Sequence, residues 1–349
     1  MCFLIKEESS MKKLLIAALV AGASTVAVAQ TSIYGLADAF YGQTSAKQTT
    51  NQVSAGGMTT SYIGVRSSEK LGDVTATAVL ETFLRPDTAA QGRFNGDTFY
   101  ARNAYVGLSS KAGEVQVGRV TTPMFISTIV FNSFGDSFVF SPMVTARYGA
   151  SNFNLGGGGS DTGWNNSVLV KTNAGPLALT GVYSAGVVDD ATGTKQAGKS
   201  VGAMYFAGPI GLTATWQDVE QGAGKPSMTS TIVGASYDLK AAKLFAQYNR
   251  VQHSDAVTKE DQGYSVGATM PLSKGNTVMV SYAKHEHTMI SNKTSETASW
   301  AVGLSHALSK RTDLYAAVRD TSYTNDGVHR TNAAWADTRV TGVGVRHRF

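Results

Sequence analysis

Ile210-Gly211-Leu212-Thr213-Ala214-Thr215-Trp216-Gln217-Asp218-Val219-Glu220 is the stretch that decides the fold. Leu212, Ala214 and Trp216 alternate with Thr213, Thr215 and Gln217, so an extended chain here has one apolar face and one polar face. The same period of two sets Val233, Ala235 and Tyr237 against Gly234, Ser236 and Asp238, and Tyr264, Val266, Ala268 and Met270 against Ser265, Gly267 and Thr269. It also sets Trp300, Val302 and Leu304 against Ala301, Gly303 and Ser305. Alternation alone suits a soluble sandwich as well as a membrane wall. The links between the runs separate the two.

Runs of this kind lie near 32–42, 59–70, 73–84, 98–109, 113–120, 165–173, 177–186, 200–208, 210–220, 230–239, 243–251, 263–272, 276–287, 299–308, 312–323 and 339–349, about sixteen in all. Short links are Leu71-Gly72, Ser110 to Ala112, Ala174-Gly175-Pro176, Gly208-Pro209, Ser273 to Gly275 and Ser309 to Arg311. Long polar links cover 43–58, 85–97, 187–199, 221–229, 252–262, 288–298 and 324–338. Up-and-down strands with tight turns at one rim and long loops at the other are the layout of an outer-membrane barrel. In lipid every backbone donor and acceptor needs a partner, so the sheet must close on itself, and an even strand count lets first and last pair antiparallel. The expected fold is all-β: a 16-stranded antiparallel transmembrane β-barrel around an aqueous lumen. Tyr34, Tyr183, Trp216, Tyr264, Trp300 and Tyr315, near the run ends, are expected in the interfacial aromatic girdles.

Composition agrees. Of 349 residues only 16% are charged, against roughly 25% in an average soluble domain. Gly numbers 37 and Pro 7, with 42% hydrophobic residues. Helical membrane spans would need repeated apolar runs of about 20 residues, and disorder would need high net charge and few aromatics. The one continuous apolar run, Leu14 to Ala29, follows Met11-Lys12-Lys13 and ends in Ala27-Val28-Ala29. It reads as a signal peptide over 11–29, with 1–10 an over-called extension upstream of the true start and 30–349 the barrel. Cleavage leaves 320 residues, with 27 basic against 23 acidic side chains. Cys2 is removed with the leader, so the mature chain has no disulfide or thiolate metal site. The basic residues are scattered singly, which points away from nucleic acid.

One link is an outlier. About 44 residues separate Val120 from Trp164, where loops usually run roughly 4–6. It is apolar and aromatic, with Met124, Phe125, Ile126, Ile129, Val130, Phe131, Phe134, Phe138, Val139 and Phe140. Such a loop needs a packing surface, and the inside of the wall is the natural one. It is expected to fold into the lumen and narrow it.

Four stretches and the terminus carry a family likeness: Ser32-Ile33-Tyr34-Gly35-Leu36-Ala37-Asp38, Tyr62 to Gly72, Arg102-Asn103-Ala104-Tyr105-Val106-Gly107-Leu108, Gly113 to Arg119, and Val345-Arg346-His347-Arg348-Phe349. Together they resemble the trimeric general porins of Gram-negative bacteria, particularly the type common in beta-proteobacteria, over essentially all of the mature chain. The resemblance implies a homotrimer in outer-membrane lipid and lipopolysaccharide, handled by the outer-membrane assembly machinery through an aromatic terminal residue, here Phe349. It implies a third loop in the lumen and a constriction where wall cations, here Arg66, Arg102 and Arg119, face a loop anion, here Asp136. Many members have arginine where Tyr62 stands, and their third loop carries several carboxylates. This chain offers only Asp136 and Asp161 there, with Arg147 the sole base. The expected function is passive diffusion of small hydrophilic solutes and ions, weakly favouring anions, with no cofactor and no catalytic step. Period-two counting puts Arg66 on the face of Tyr62 and Gly64, and Arg102 on the face of Tyr100 and Ala104. Gly35, Ala37 and Ala39 give the first strand a small-residue face, expected at the trimer interface.

Rival readings are weaker. A more solute-selective channel of the same architecture is the alternative, and an adhesin or enzyme on a barrel scaffold a remoter one. Gly193-Thr194-Lys195-Gln196-Ala197-Gly198-Lys199-Ser200 fits the phosphate-loop pattern, but such a loop must open a helix, and Val201 to Ala207 alternates as a strand. His285-Glu286-His287 lacks a metalloenzyme spacing, and there is no G-x-S-x-G elbow.

Overall fold

The computed structural model describes residues 30–46, 48–148, 162–186, 188–189, 194–195, 197–220, 227–253, 258–325 and 337–349. The expected leader and extension, Asp161 and Gly193 lie outside the described residues. Sixteen strands form one closed antiparallel wall: β1 (Gln30–Ser45), β2 (Tyr62–Leu71), β3 (Val74–Arg85), β4 (Asn103–Ser110), β5 (Gly113–Thr121), β6 (Gly163–Ala174), β7 (Leu177–Ser184), β8 (Gly198–Ala207), β9 (Ile210–Glu220), β10 (Ser227–Asp238), β11 (Lys243–His253), β12 (Thr258–Ser273), β13 (Asn276–Met289), β14 (Thr294–Ala307), β15 (Thr312–Asn325) and β16 (Thr338–Arg348). Each expected run falls on one of them. Closure is made by β1, whose Gln30–Leu36 pair with Ser68–Tyr62 of β2 while Leu36–Ser45 pair with Arg348–Arg339 of β16. Thr49–Ala55, in the first long loop, adds a short strand beside the upper half of β1.

Alternation sorts the faces. Ile33, Val65, Val106, Val201, Trp216, Val233, Tyr264 and Trp300 are exposed on the outer surface of the wall, an apolar belt that only lipid or another apolar surface can cover. Their neighbours Thr213, Thr215, Gln217, Ser230, Ser265 and Ser299 are turned inward and buried. Tyr183, Trp216, Tyr264 and Trp300 lie outward as expected for a girdle. Tyr34 and Tyr315 do not, because they stand in register with the lumenal positions: Tyr34 donates its hydroxyl to Glu81 and Tyr315 to Asp38.

The third loop contains two helices that the strand-period reading did not anticipate, α1 (Pro123–Val130) and α2 (Pro142–Tyr148). Thr122 caps α1, its hydroxyl accepting the Phe125 N–H at 3.2 Å with Pro123 in the first turn, a start signal that does stand in the sequence. From there the loop winds round the inner wall over a track of glycines. A Cβ added at Gly202 would stand 2.9 Å from Pro123, at Gly234 3.2 Å from Phe131, at Gly267 2.5 Å from Ser133 Oγ, and at Gly303 3.0 Å from Phe134. Hydroxyls and amides fix its height: Ser127 Oγ meets Thr213 and Thr215 at 2.9 and 2.7 Å, Gln247 Nε2 donates to the Phe131 carbonyl, and Ser133 Oγ to that of Val280. Phe134 and Phe140 then join Phe40, Met58, Met279, Ala301, Tyr315, Ala317 and Val340 in an apolar cluster against β1 and β13–β16. The loop is thus packed inside the barrel, as its composition required.

Candidate functional site: the lumen constriction

Several of the candidate residues project from the inner face of β2–β6. Arg66, Val79 and Tyr105 are cross-strand neighbours on β2, β3 and β4 and share the lumenal face. Arg66 is exposed, its side chain forms no hydrogen bond or ion pair among the described residues, and its charge acts on Tyr105.

Arg102 is held quite differently. The fourth strand begins at Asn103, not near 98, so Arg102 precedes it and strand alternation does not govern its side chain. Ala104 belongs to the outer series with Val106 and Leu108, whereas Arg102 reaches inward to Glu81, Nη1 to Oε2 at 2.5 Å. Its guanidinium lies over the Tyr62 ring at 3.9 Å, a cation–π contact. Glu81 accepts from Tyr34 at 2.7 Å and from Asn103 Nδ2 at 2.6 Å as well. Tyr62 therefore supports a neighbouring arginine instead of supplying a charge. On β6, Lys171 points the same way, 3.8 Å from Glu114.

Arg119 is buried. Its Nε donates to the Ala101 carbonyl and its Nη1 to Asn165 Oδ1 at 2.9 Å, beside a register shift between Gly118 and Val120 where wall gives way to loop. It ties the chain before β4 to the start of β6.

On the loop, Asp136 is half-buried and accepts the Thr59 hydroxyl at 3.0 Å. Thr59 also accepts from Arg346 Nη1 at 2.9 Å. Thr59 is placed by Asp38, a fully buried carboxylate on β1 that accepts the N–H groups of Gly57, Met58 and Thr59 and the Tyr315 hydroxyl at 2.6 Å. Burial pushes the Asp136 carboxyl above its ordinary value, against the Thr59 hydrogen bond and the Arg346 and Arg102 charges, which pull it down. Asp136 is the single carboxylate among the described residues of the loop. Arg346 also meets Asp313, which Arg348 shares, both at 3.1 Å.

Sequence reasoning missed Glu81, Lys171 and Arg346 as constriction groups. Period-two counting along β3, β6 and β16 would have placed all three inward, beside Val79, Leu169 and Gly344.

Other sequence-derived sites fall as follows. Gly35, Ala37 and Ala39 are on the outer face with Ile33 and Tyr41, but Gly35 is covered: Phe349 lays its ring there, 2.6 Å from where a Cβ would stand. The two residues exchange backbone hydrogen bonds of 3.1 Å, sealing β1 to the chain end. Lys199 and Ser200 lie in β8, with Lys199 facing outward 3.5 Å from Asp218 and over Trp216. His287 and His253 bond the two oxygens of Asp261 on the inner wall.

Known proteins give the same picture. The chain is 28% identical over 370 residues to outer membrane porin protein 32 of Delftia acidovorans, covering 97% of this chain and all of the relative. It is 26% identical over 414 residues to an outer membrane porin of Bordetella pertussis, with the same coverage. Its fold matches the anion-selective porin from Comamonas acidovorans with a TM-score of 0.74 at 23% identity, over 92% of this chain and 100% of that one. OmpT of Vibrio cholerae matches with 0.70 at 14%, over 94% and 100%. Residues 16–326 match the Gram-negative porin family, and the chain belongs to it: a β-barrel diffusion channel of the outer membrane.

Proposed function

We propose that the channel passes small hydrophilic solutes and ions passively, weakly favours anions, and does so at the constriction formed by Arg66, Arg102 and Asp136, with Tyr62 as the platform under Arg102. Arg119 holds the wall in shape there. The observation that carries the reading is the exposed, unpaired Arg66 facing a loop with one described carboxylate. Lumen charges act over a few ångströms, within the roughly 8 Å Debye length of physiological salt, so screening does not erase them. The name of the Comamonas relative, an anion-selective porin, supports the same sign.

The working form is a homotrimer of chains beginning at Gln30, in contact with lipid and lipopolysaccharide and delivered by the outer-membrane assembly machinery. Ala37 and Ala39, small and outward on β1, support close approach of a second wall. The seating of Phe349 on Gly35 at the barrel seam supports its role as an assembly signal. No cofactor or catalytic step enters this reading. The test is the reversal potential of single channels in a potassium chloride gradient. A chloride preference is expected, and a clear potassium preference would overturn the sign.

A further inference from the structure

The apolar outer face of the wall is not evenly filled. Across β12–β16 runs an open groove of about 730 Å³, lined by Leu272, Val278, Val302, Leu304 and Val343, with Tyr41 closing it on the side of β1. Its low point is Ala316, whose cross-strand neighbours are Leu304 and Val343. Next to the short turns the outward residues include hydrogen-bonding groups: Asn276 Oδ1 meets His306 Nδ1 at 2.8 Å, and Thr312 Oγ1 meets His347 Nδ1 at 2.8 Å. The turns themselves carry Lys274 between β12 and β13, and Lys310 and Arg311 between β14 and β15. All three are exposed, and their side chains form no ion pair among the described residues. By contrast, the β2–β3 turn carries Asp73, and the β6–β7 and β8–β9 turns carry no charge.

We propose that this flank of β12–β16 binds an anionic phospholipid of the inner leaflet, with an acyl chain over Ala316 and the phosphate at the Lys310-Arg311 turn. From the rim inward the wall offers cations, then hydrogen-bonding groups, then an apolar groove. A phospholipid has the same order: phosphate, glycerol esters, acyl chains. Ala316 stands five residues beyond Arg311, about 17 Å along the strand at roughly 3.3 Å per residue. Strands of such barrels tilt by about 35–45°, so the depth is about 12–14 Å, inside one half of a hydrocarbon core about 30 Å thick. Tight turns mark this rim as periplasmic, on the leaflet opposite to lipopolysaccharide. Each Lys or Arg beside an anionic lipid surface is worth about fivefold in occupancy. Lys274, two strand spacings or roughly 10 Å away, adds to the field without touching the same phosphate. A second barrel wall could cover the groove, but it would leave the rim cations without a counter-charge.

The experiment uses the full mature channel in detergent, freed of lipid, and counts bound lipid by native mass spectrometry as phosphatidylglycerol or phosphatidylethanolamine is added. Phosphatidylglycerol is expected to reach the same occupancy at one-fifth or less of the phosphatidylethanolamine concentration. Lys310→Gln combined with Arg311→Gln is expected to erase that advantage. Ala316→Phe, which fills the groove from an exposed position, is expected to weaken retention of both lipids. Equal retention of the two lipids by wild type, or an undiminished phosphatidylglycerol advantage in the double variant, overturns the site. Displacement of the bound lipid by an equal concentration of inorganic phosphate would reveal an ion site on the rim and overturn it as well. So would an Ala316→Phe channel that loses its oligomeric state yet retains phosphatidylglycerol in full, since the groove would then belong to a second copy of the chain.

Discussion

Arg66 and Arg102 carry the same charge on the same wall, yet the geometry gives them different consequences on removal. Arg66 has no described partner, so Arg66→Ser deletes one isolated positive charge. At about 5 Å from a passing ion in water, that charge is worth ~0.8 kcal/mol, and screening over a Debye length of about 8 Å halves it to roughly 0.4 kcal/mol. Chloride loses that amount and potassium gains it, so the chloride-to-potassium permeability ratio should fall about fourfold. A weak chloride preference then becomes a weak potassium preference. Arg102, by contrast, is one half of a pair with Glu81. Arg102→Ser leaves Glu81 still accepting from Tyr34 and Asn103, so the site turns negative and the ratio should fall by a similar factor. Glu81→Gln should raise it. The double variant removes a neutral pair, and its reversal potential should return close to wild type. Reversal potentials in a tenfold potassium chloride gradient at neutral pH check all four. An unchanged potential in Arg66→Ser, or a double variant that sums to the Arg102→Ser value, refutes the assignment of free and paired cations.

Three of the remaining predictions concern the scaffold and one concerns pH. Because the Asp136 carboxyl is raised above its ordinary value by burial, its charge is lost before that of an ordinary carboxylate as pH falls. Chloride preference should therefore increase on acidification, starting above the usual range of about 4, and Asp136→Asn should remove that first rise while increasing the preference at neutral pH. Gly267→Val places a side chain where Ser133 Oγ and the Val280 carbonyl already stand. It should destabilise the barrel by about 1–3 kcal/mol and, by lifting the loop into the lumen, lower single-channel conductance. Tyr315→Phe removes one of the four hydrogen bonds to buried Asp38, a loss of about 1.5–3 kcal/mol visible in the thermal unfolding midpoint. Deleting Phe349 should abolish folded trimer in the outer membrane while leaving synthesis and export intact, read on unheated gels.

The wall was legible because a strand exposed to lipid on one face and water on the other must alternate, and β9, β10, β12 and β14 do so residue by residue. The same periodicity placed Arg66, which lies inside a strand. It failed for Arg102, because alternation is a property of extended chain and the residues before Asn103 are not extended. It was not applied to Tyr34 and Tyr315: an aromatic near a strand end suggests a girdle by residue type, but only register tells which face it takes. Both have hydroxyls that satisfy buried carboxylates, Glu81 and Asp38. The pairing of Arg102 with Glu81 joins residues 21 apart in sequence, and no local pattern announces it. The helices of the loop were missed because each is short and leans on the wall, so its apolar residues do not fall on one face.

The glycine content and the apolar third loop looked like separate oddities of composition and are two parts of one arrangement. Gly202, Gly234, Gly267, Gly303 and Gly342 occur on β8, β10, β12, β14 and β16, and each faces a successive piece of the loop, from Pro123 to Phe140. Where the wall has no side chain, loop atoms sit directly on its backbone, and apolar packing with a few hydroxyl bonds holds the loop, with no ion pair between loop and wall among the described residues. A loop held in this way has no structural need for a row of carboxylates. Among the described residues the loop then brings one carboxylate, Asp136, toward the wall that carries Arg66, which is the arrangement the proposed anion preference rests on.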